Sequence, residues 1–179
     1  MTRFVFSCLV SVLLLLAATV AFAFERSDGI TVRCQFERDG QRQTVEEVWL
    51  GQGEAGNRHP ELGGAVAVVR QGANGLPVIF FDRIVFNQTQ AKSAFITDFI
   101  FYHECGHARE QQIDEIEANC YALLSLQALG MLNEEKLAIL ASHHQSMTRL
   151  PARYGGNGSV FWQRTLDCAA QKMPSALVR

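Results

Sequence analysis

Segments typical of β-strands fill the first half of this chain, and segments typical of helices fill the second half. β-branched and aromatic residues, bounded by turn residues, predict strands over residues 29–36, 43–50, 65–70 and 77–82. Apolar residues then recur at helical intervals and predict helices over residues 90–108, 113–129, 133–147 and 160–172. Strands followed by helices, rather than alternating with them, indicate an α+β fold.

The first strands are expected to be antiparallel. Asp39 and Gly40 form a dipeptide that favours a tight hairpin between the first two strands. The turn sequence QGANGL lies between the next two strands and favours a second hairpin.

The first 23 residues have the layout of an export signal. One arginine precedes an apolar run over residues 4–20, and Ala21-Phe22-Ala23 places small residues at the two positions that a signal peptidase reads. We predict a signal peptide over residues 1–23 and a single domain over residues 24–179, located in the periplasm or secreted. The processed protein would have no stable membrane association, whereas an uncleaved leader would anchor it.

Charge and cysteine content limit the classes of protein to which this chain can belong. Sixteen basic and 18 acidic residues leave a net charge of −2, which provides no basic surface for nucleic acid. The processed chain keeps four cysteines, and an even number in an exported protein favours disulfides over free thiols or thiolate ligands. No pair has C-x-x-C spacing, which argues against a zinc ribbon. The four cysteines are Cys34, Cys105, Cys120 and Cys168.

The sequence FYHECGHARE places His-Glu-x-x-His in the first predicted helix. Successive helical residues differ by about 100°, so His103 and His107 lie about 40° apart around the axis and can bind one metal ion. Glu104 lies beside them and can contact a water on the metal rather than the metal itself. Gly106 lets another part of the chain approach this face closely. The alternative is a helix with two hydrogen-bonded core histidines, on an apolar stripe with Ile96, Phe99 and Ile100.

A catalytic zinc ion takes three protein ligands and leaves one position open for water. Glu115 and Glu117, in the sequence IDEIEANCYALL, are candidates for the third ligand and point about 200° apart on a helix. Both lie on apolar stripes, so burial alone does not separate them. Asn119 favours Glu115, because one turn further along it can hydrogen-bond a ligand histidine.

The second motif resembles a pattern of the gluzincins, zinc metallopeptidases that carry His-Glu-x-x-His on one helix and a glutamate on the next. Their glutamate often lies within Glu-x-x-Ala-Asp/Asn-x-x-Ala, which Glu115, Ala118, Asn119 and Ala122 match. The resemblance covers roughly residues 77–129 and rests on two short motifs in the right order. Metzincins are excluded, because Glu110 and Ile113 stand where that class has glycine and histidine.

This resemblance implies a minimal zincin-like fold and an exported hydrolase that cuts peptide bonds in peptides or proteins. Zn²⁺ would be bound by His103, His107 and Glu115. Glu104 would be the general base that takes a proton from the zinc-bound water, and Asn119 would orient a ligand histidine.

Peptide hydrolysis needs further groups, to stabilise the oxyanion that forms when water attacks the peptide carbonyl and to hold the substrate. The candidate oxyanion donors are His143, His144, Tyr154 and Arg153. For the two histidines, the alternative is an exposed helix face. An extended peptide would pair with a sheet edge formed by residues 77–82 or 64–70.

Two other functions are compatible with the same residues. The chain could be a non-catalytic, zinc-stabilised exported binding or scaffold module, in which the metal contributes folding free energy. It could also be a zinc hydrolase that acts on a non-peptide bond. Glu104 favours catalysis, because a purely structural site needs no carboxylate beside an open coordination position.

The spacing of the two motifs requires a turn. Seven residues separate His107 from Glu115, and an unbroken helix would place them about 12 Å apart along its axis. We therefore predict that the helix breaks between Ala108 and Gln112 and forms an αα-hairpin.

The same hairpin constrains the disulfides. If its two helices face each other across the metal, the side chains of Cys105 and Cys120 point away from the shared interface. Bridges to Cys34 and Cys168 are therefore favoured over a Cys105–Cys120 bridge.

Overall fold

The computed structural model describes residues 23–51, 62–110 and 114–172. Strands come first and helices follow, so the α+β class is confirmed. The strands are β1 (Phe24–Glu25), β2 (Thr31–Val32), β3 (Gln35–Arg38), β4 (Gln41–Thr44), β5 (Glu46–Leu50), β6 (Ala67–Gln71) and β7 (Pro77–Asp82). The helices are α1 (Arg83–Lys92), α2 (Ala94–Arg109), α3 (Glu115–Ala128), α4 (Glu134–Gln145) and α5 (Gly158–Lys172), with a short 3₁₀ helix at Ala152–Tyr154.

The predicted signal peptide lies outside the described residues, apart from Ala23. Within the described ranges, no helix has the length and apolar character needed to cross a membrane.

The hairpin predicted at Asp39-Gly40 is confirmed. It joins β3 to β4, with Phe36 opposite Gln43. Asp39 and Gly40 have φ values of 53° and 72°, and two successive positive φ angles are typical of a type I′ turn.

The larger sheet has three strands in the order β5-β7-β6, so β7 is central and β6 is an edge strand. Antiparallel pairing of β6 with β7 is confirmed, with Val69 opposite Ile79. The prediction of antiparallel strands throughout is wrong for β5, which runs parallel to β7. The segment predicted as one strand is divided at Val45. The Val45 N–H donates to the Cys34 carbonyl and extends the β3–β4 pairing, and the residues that follow pair with β7 instead.

Helix α1 was not expected over residues 83–89. Asp82 ends β7 and caps α1, because its side chain accepts hydrogen bonds from the N–H groups of Ile84 and Val85. Ser93 then adopts an extended conformation and separates α1 from α2, so the single helix predicted over residues 90–108 is divided.

Helix α2 ends at Arg109 and α3 begins at Glu115, which confirms the break between the two motifs. Residues 111–113 of this connection lie outside the described residues. Glu115 lies near both motif histidines and Asn119 contacts His103, so α3 returns along α2 as an antiparallel partner.

Among the described residues, the core consists of two hydrophobic clusters, and α2 contributes side chains to both. The first lies between α2 and the strands and contains Phe24, Phe36, Ile79, Phe81, Phe86 and Phe101. The second lies among the helices and contains Phe95, Phe99, Leu123, Leu126, Leu140 and Trp162.

Two disulfides join these clusters to the helix pair, as predicted. Cys105 on α2 is bonded to Cys34, and Cys120 on α3 is bonded to Cys168 on α5. Their Cα atoms are 5.4 Å and 5.9 Å apart, within the usual range for disulfides. Two disulfides indicate an oxidising, exported environment.

Candidate metal centre

Two histidines of α2 and the first residue of α3 converge at one point. The imidazole rings of His103 and His107 have centroids 4.8 Å apart. Glu115 Oε2 lies 3.1 Å from His103 Nε2 and 3.6 Å from His107 Nε2. One potential ligand atom from each residue lies within 4.8 Å of the others, so the three could hold a metal ion. Two imidazoles and one carboxylate are a ligand set found in catalytic zinc sites.

The start of α3 explains why Glu115, and not its acidic neighbours, reaches the histidines. The Asp114 side chain accepts hydrogen bonds from the N–H groups of Ile116 and Glu117 and so caps the helix. Glu117 is exposed, whereas Glu115 is partly buried against the histidines. Of the three acidic residues at this end, Glu115 is the one whose carboxylate the structure brings to them.

The protein groups of the site balance one another's charge. Burial disfavours the charged form of His103, but the hydrogen bond with Glu115 and the negative charges of Glu104 and Glu115 raise the pKa of His103 overall. Hydrogen bonds from His103 and His107 hold the pKa of Glu115 well below its usual range. These shifts favour a protonated His103 beside an ionised Glu115, and a metal ion that binds here must replace the proton between them.

Asn119 fixes the orientation of His103. Its Oδ1 lies 2.7 Å from His103 Nδ1, and its Nδ2 lies 3.3 Å from His144 Nε2 and 3.3 Å from Thr165 Oγ1. His144 Nδ1 lies 2.8 Å from the carbonyl oxygen of Leu140, one turn back on α4.

These contacts determine the direction of each hydrogen bond. Burial lowers the pKa of His144 to about 4, so this imidazole is neutral near pH 7. It donates from Nδ1 to the Leu140 carbonyl and accepts at Nε2 from the Asn119 amide. The Asn119 oxygen then accepts from His103 Nδ1, so Nε2 of His103 faces Glu115 and is the nitrogen that a metal ion would bind.

Glu104 lies beside the group formed by His103, His107 and Glu115, which we call the ligand cluster. The Glu104 side chain is only 7% exposed. Burial raises the pKa of its carboxyl group; the charges of His103 and His107 oppose this shift and that of Glu115 adds to it. The backbone N–H of Val69 on β6 also favours the ionised form of Glu104. Glu104 is therefore held between α2, the helix that carries both motif histidines, and β6, the edge strand of the sheet.

Gly106 allows α3 to approach α2 closely, as predicted from its lack of a side chain. A Cβ atom at Gly106 would lie 3.1 Å from Cδ1 and 3.3 Å from Cβ of Tyr121 on α3. These distances are shorter than ordinary van der Waals contacts, so any larger residue would push the two helices apart.

A cavity of about 590 Å³ opens between the ligand cluster and the edge strand. His103, Glu104, His107 and Glu115 form one wall. Residues 65 and 67–71, together with Pro77, form the other. Of the two sheet edges considered for a substrate, β6 faces the cavity and β7 is central in its sheet.

The candidate oxyanion donors lie elsewhere. Among the described residues, His143, His144, Tyr154 and Arg153 are all absent from the cavity wall. His144 is buried behind Asn119, and the ring of Tyr154 packs 5.5 Å from that of Phe161. The hydrogen bonds by which His144 and Thr165 support Asn119 were not predicted. Their signal was weak, because the residues lie 25 and 46 positions from Asn119.

No family model, curated protein or solved structure matches this chain, so its function is inferred from the geometry of the site.

Proposed function

We propose that this protein is an exported zinc metallopeptidase of a minimal, zincin-like kind. The observation that carries the proposal is the convergence of His103, His107 and Glu115 beside Glu104, on the wall of an open cavity. Two imidazoles and a carboxylate fit Zn²⁺, and His103 already presents Nε2 to the cluster. Bound zinc would supply positive charge that polarises the scissile carbonyl and lowers the pKa of an attacking water.

Glu104 is the general base in this proposal. Its carboxylate would take a proton from the attacking water and pass it to the amine that leaves. Burial raises the pKa of Glu104, which improves the match between this group and proton transfer near neutral pH. Val69 and the two histidines oppose this shift, because all three favour the ionised form of the carboxylate.

The edge strand β6 would hold the substrate. Its residues line the cavity opposite the ligand cluster, and an edge strand can pair with an extended peptide through main-chain hydrogen bonds. Such pairing places a peptide bond beside Glu104 without requiring particular side chains, so an unfolded segment of protein is the expected substrate class.

The test compares Glu104→Gln with Glu117→Gln in the purified exported protein. Glu104→Gln keeps the size of the side chain and removes its basicity, so zinc content should stay at one per chain while hydrolysis of an unstructured protein falls at least about 10²-fold. Glu117 is exposed on α3, so its variant should match the parent. A parent that binds zinc and cleaves nothing, with no change on Glu104→Gln, would instead identify a zinc-stabilised binding module.

A further inference from the structure

A buried carboxylate outside the candidate metal centre lacks a well-formed hydrogen bond to any of the described residues. Glu47 lies on β5 opposite Ile79 of β7, and both of its oxygens are buried without a hydrogen bond among the described residues. Residues two apart on a strand share a face, so Glu47 faces the same way as Val45 and Trp49, which belong to the first hydrophobic cluster. A buried carboxylate without a partner costs several kcal/mol, so this position calls for a cation or a donor.

Phe24, the first residue after the predicted cleavage site, packs on the face of the sheet to which Glu47 belongs. The Phe24 ring is fully buried, lies 4.4 Å from the ring of Phe101 and stacks on Phe81 of β7. Burial raises the pKa of Glu47 to about 7, and the backbone N–H of Phe24 opposes this shift more than any other group does. Arg33 also opposes it, but its side chain is exposed.

The residues that follow Phe24 are attached to the ligand helix. The Ser27 N–H donates to Asp98 Oδ1 on α2 at 2.9 Å, and the Ser27 hydroxyl donates to Asp98 Oδ2. Arg26 is paired with Asp28, so it is not the missing cation for Glu47. The start of the predicted mature chain is therefore held in one position, with the Phe24 ring on the face of the sheet that carries Glu47.

We propose that Glu47 is the acceptor for the α-ammonium group of Phe24, released when a signal peptidase hydrolyses the Ala23–Phe24 bond. Hydrolysis consumes one water, leaves a carboxylate on Ala23 and frees an amine on Phe24. In the intact chain this nitrogen carries one N–H and no charge. In the processed chain it carries a positive charge and three donors, which supplies the partner that Glu47 lacks. Processing thus completes the core beside α2, and the inference is independent of peptidase activity.

The first measurement uses the full chain, expressed with its own leader in a host that exports it. Mass spectrometry of the exported protein should give Phe24 as the first residue. In ¹⁵N-phenylalanine-labelled protein, the α-amine should titrate at least one unit above its ordinary pKa of about 8. A different first residue, or an ordinary pKa for this amine, would overturn the proposal without any variant having to fold.

The second measurement moves the amine by one position. A threonine inserted between Ala23 and Phe24 should lower Tm by on the order of 10 °C in the parent background, because a buried charge pair is broken. In a Glu47→Gln background the same insertion should have a much smaller effect. Glu46→Gln is the matched control, because Glu46 is exposed on the opposite face of β5 and should leave the effect of the insertion unchanged. Equal losses of Tm in the parent and Glu47→Gln backgrounds would show a steric effect and refute the ion pair.

Discussion

Asn119 Oδ1 lies 2.7 Å from Nδ1 of His103, and this contact connects the ligand cluster to the interior of the helical half of the protein. The amide of Asn119 continues to His144 on α4 and Thr165 on α5. Three helices thus determine which nitrogen of His103 faces Glu115 and the cavity.

Asn119→Ala should weaken zinc binding by roughly 10- to 100-fold, the usual effect of removing a group that orients a ligand. His103 then loses the acceptor for its Nδ1 proton and is free to rotate or to change tautomer. Competition with a chromophoric zinc chelator measures the dissociation constant. Glu117→Ala, at an exposed position of the same helix, should leave that constant unchanged. An unchanged affinity in Asn119→Ala would mean that packing alone holds the imidazole.

Glu115→Ala should remove one of the three proposed zinc ligands and, with it, the stabilisation that bound zinc is expected to provide. In the parent protein, adding a chelator should lower Tm, because zinc binds the folded state and not the unfolded one. In Glu115→Ala, Tm should no longer respond to zinc or to chelator at micromolar concentrations. The measurement is a thermal melt with and without chelator, together with elemental analysis of metal content. Full zinc occupancy in this variant would place the third ligand elsewhere, and Glu117 would then be tested next.

His144 should make the metal-free protein less stable in acid. Burial lowers its pKa from 6.5 to about 4, so between these values the unfolded chain binds a proton that the folded chain does not. Neutral His144 makes its full contribution to the free energy of unfolding above pH 6.5. This contribution is lost as pH falls towards 4, and the loss amounts to up to about 3 kcal/mol. His103 acts in the opposite direction, because its raised pKa favours the folded state at low pH.

The comparison of the parent with His144→Gln separates these two effects. Both proteins share every other titrating group, so the difference between their unfolding free energies isolates His144. Urea denaturation at several pH values in the presence of chelator provides the measurement. The difference should shrink as pH falls from 6.5 to 4, and a difference independent of pH would contradict the neutral, buried state of this histidine.

Gly158→Ala should destabilise the protein strongly. A Cβ atom at Gly158 would lie 1.6 Å from the carbonyl oxygen of His144, so α4 and α5 would have to separate. Overpacking of this kind typically costs about 1–3 kcal/mol, which corresponds to a fall in Tm of about 2–12 °C in a protein of this size. Ser159→Ala, at an exposed neighbouring position, is the control. Because the displaced helix carries His144, zinc affinity should also fall in Gly158→Ala.

The ligand cluster could be predicted from the sequence because its parts are local. His103 and His107 follow from helical periodicity, and Glu115 follows from its separation of four residues from Asn119. The turn between α2 and α3 could be predicted because an unbroken helix would place Glu115 too far from His107 for both to bind one ion. The disulfides followed from the directions in which Cys105 and Cys120 point on these helices.

The features that were not predicted depend on contacts between distant parts of the chain. Nothing near Val45 signals that β5 leaves the hairpin to run parallel to β7, because strand pairing is decided by non-local packing. Helix α1 was missed because Asp82 completes an apolar strand and also caps the following helix. Burial shifts the pKa values of His144 and Glu47, and the residues next to them in the sequence do not indicate that they are buried.

The positions of the two disulfides have a consequence for when the metal centre forms. Cys105 lies between the two histidines of the motif, and Cys120 is adjacent to Asn119, so each ligand-bearing helix has a covalent attachment within one turn of the site. A newly made chain in a reducing compartment lacks both attachments. We expect such a chain to hold zinc less tightly than the oxidised protein. Under the proposed function, the precursor in a reducing compartment would then have little hydrolytic activity, and formation of the disulfides after export would be the step that activates it.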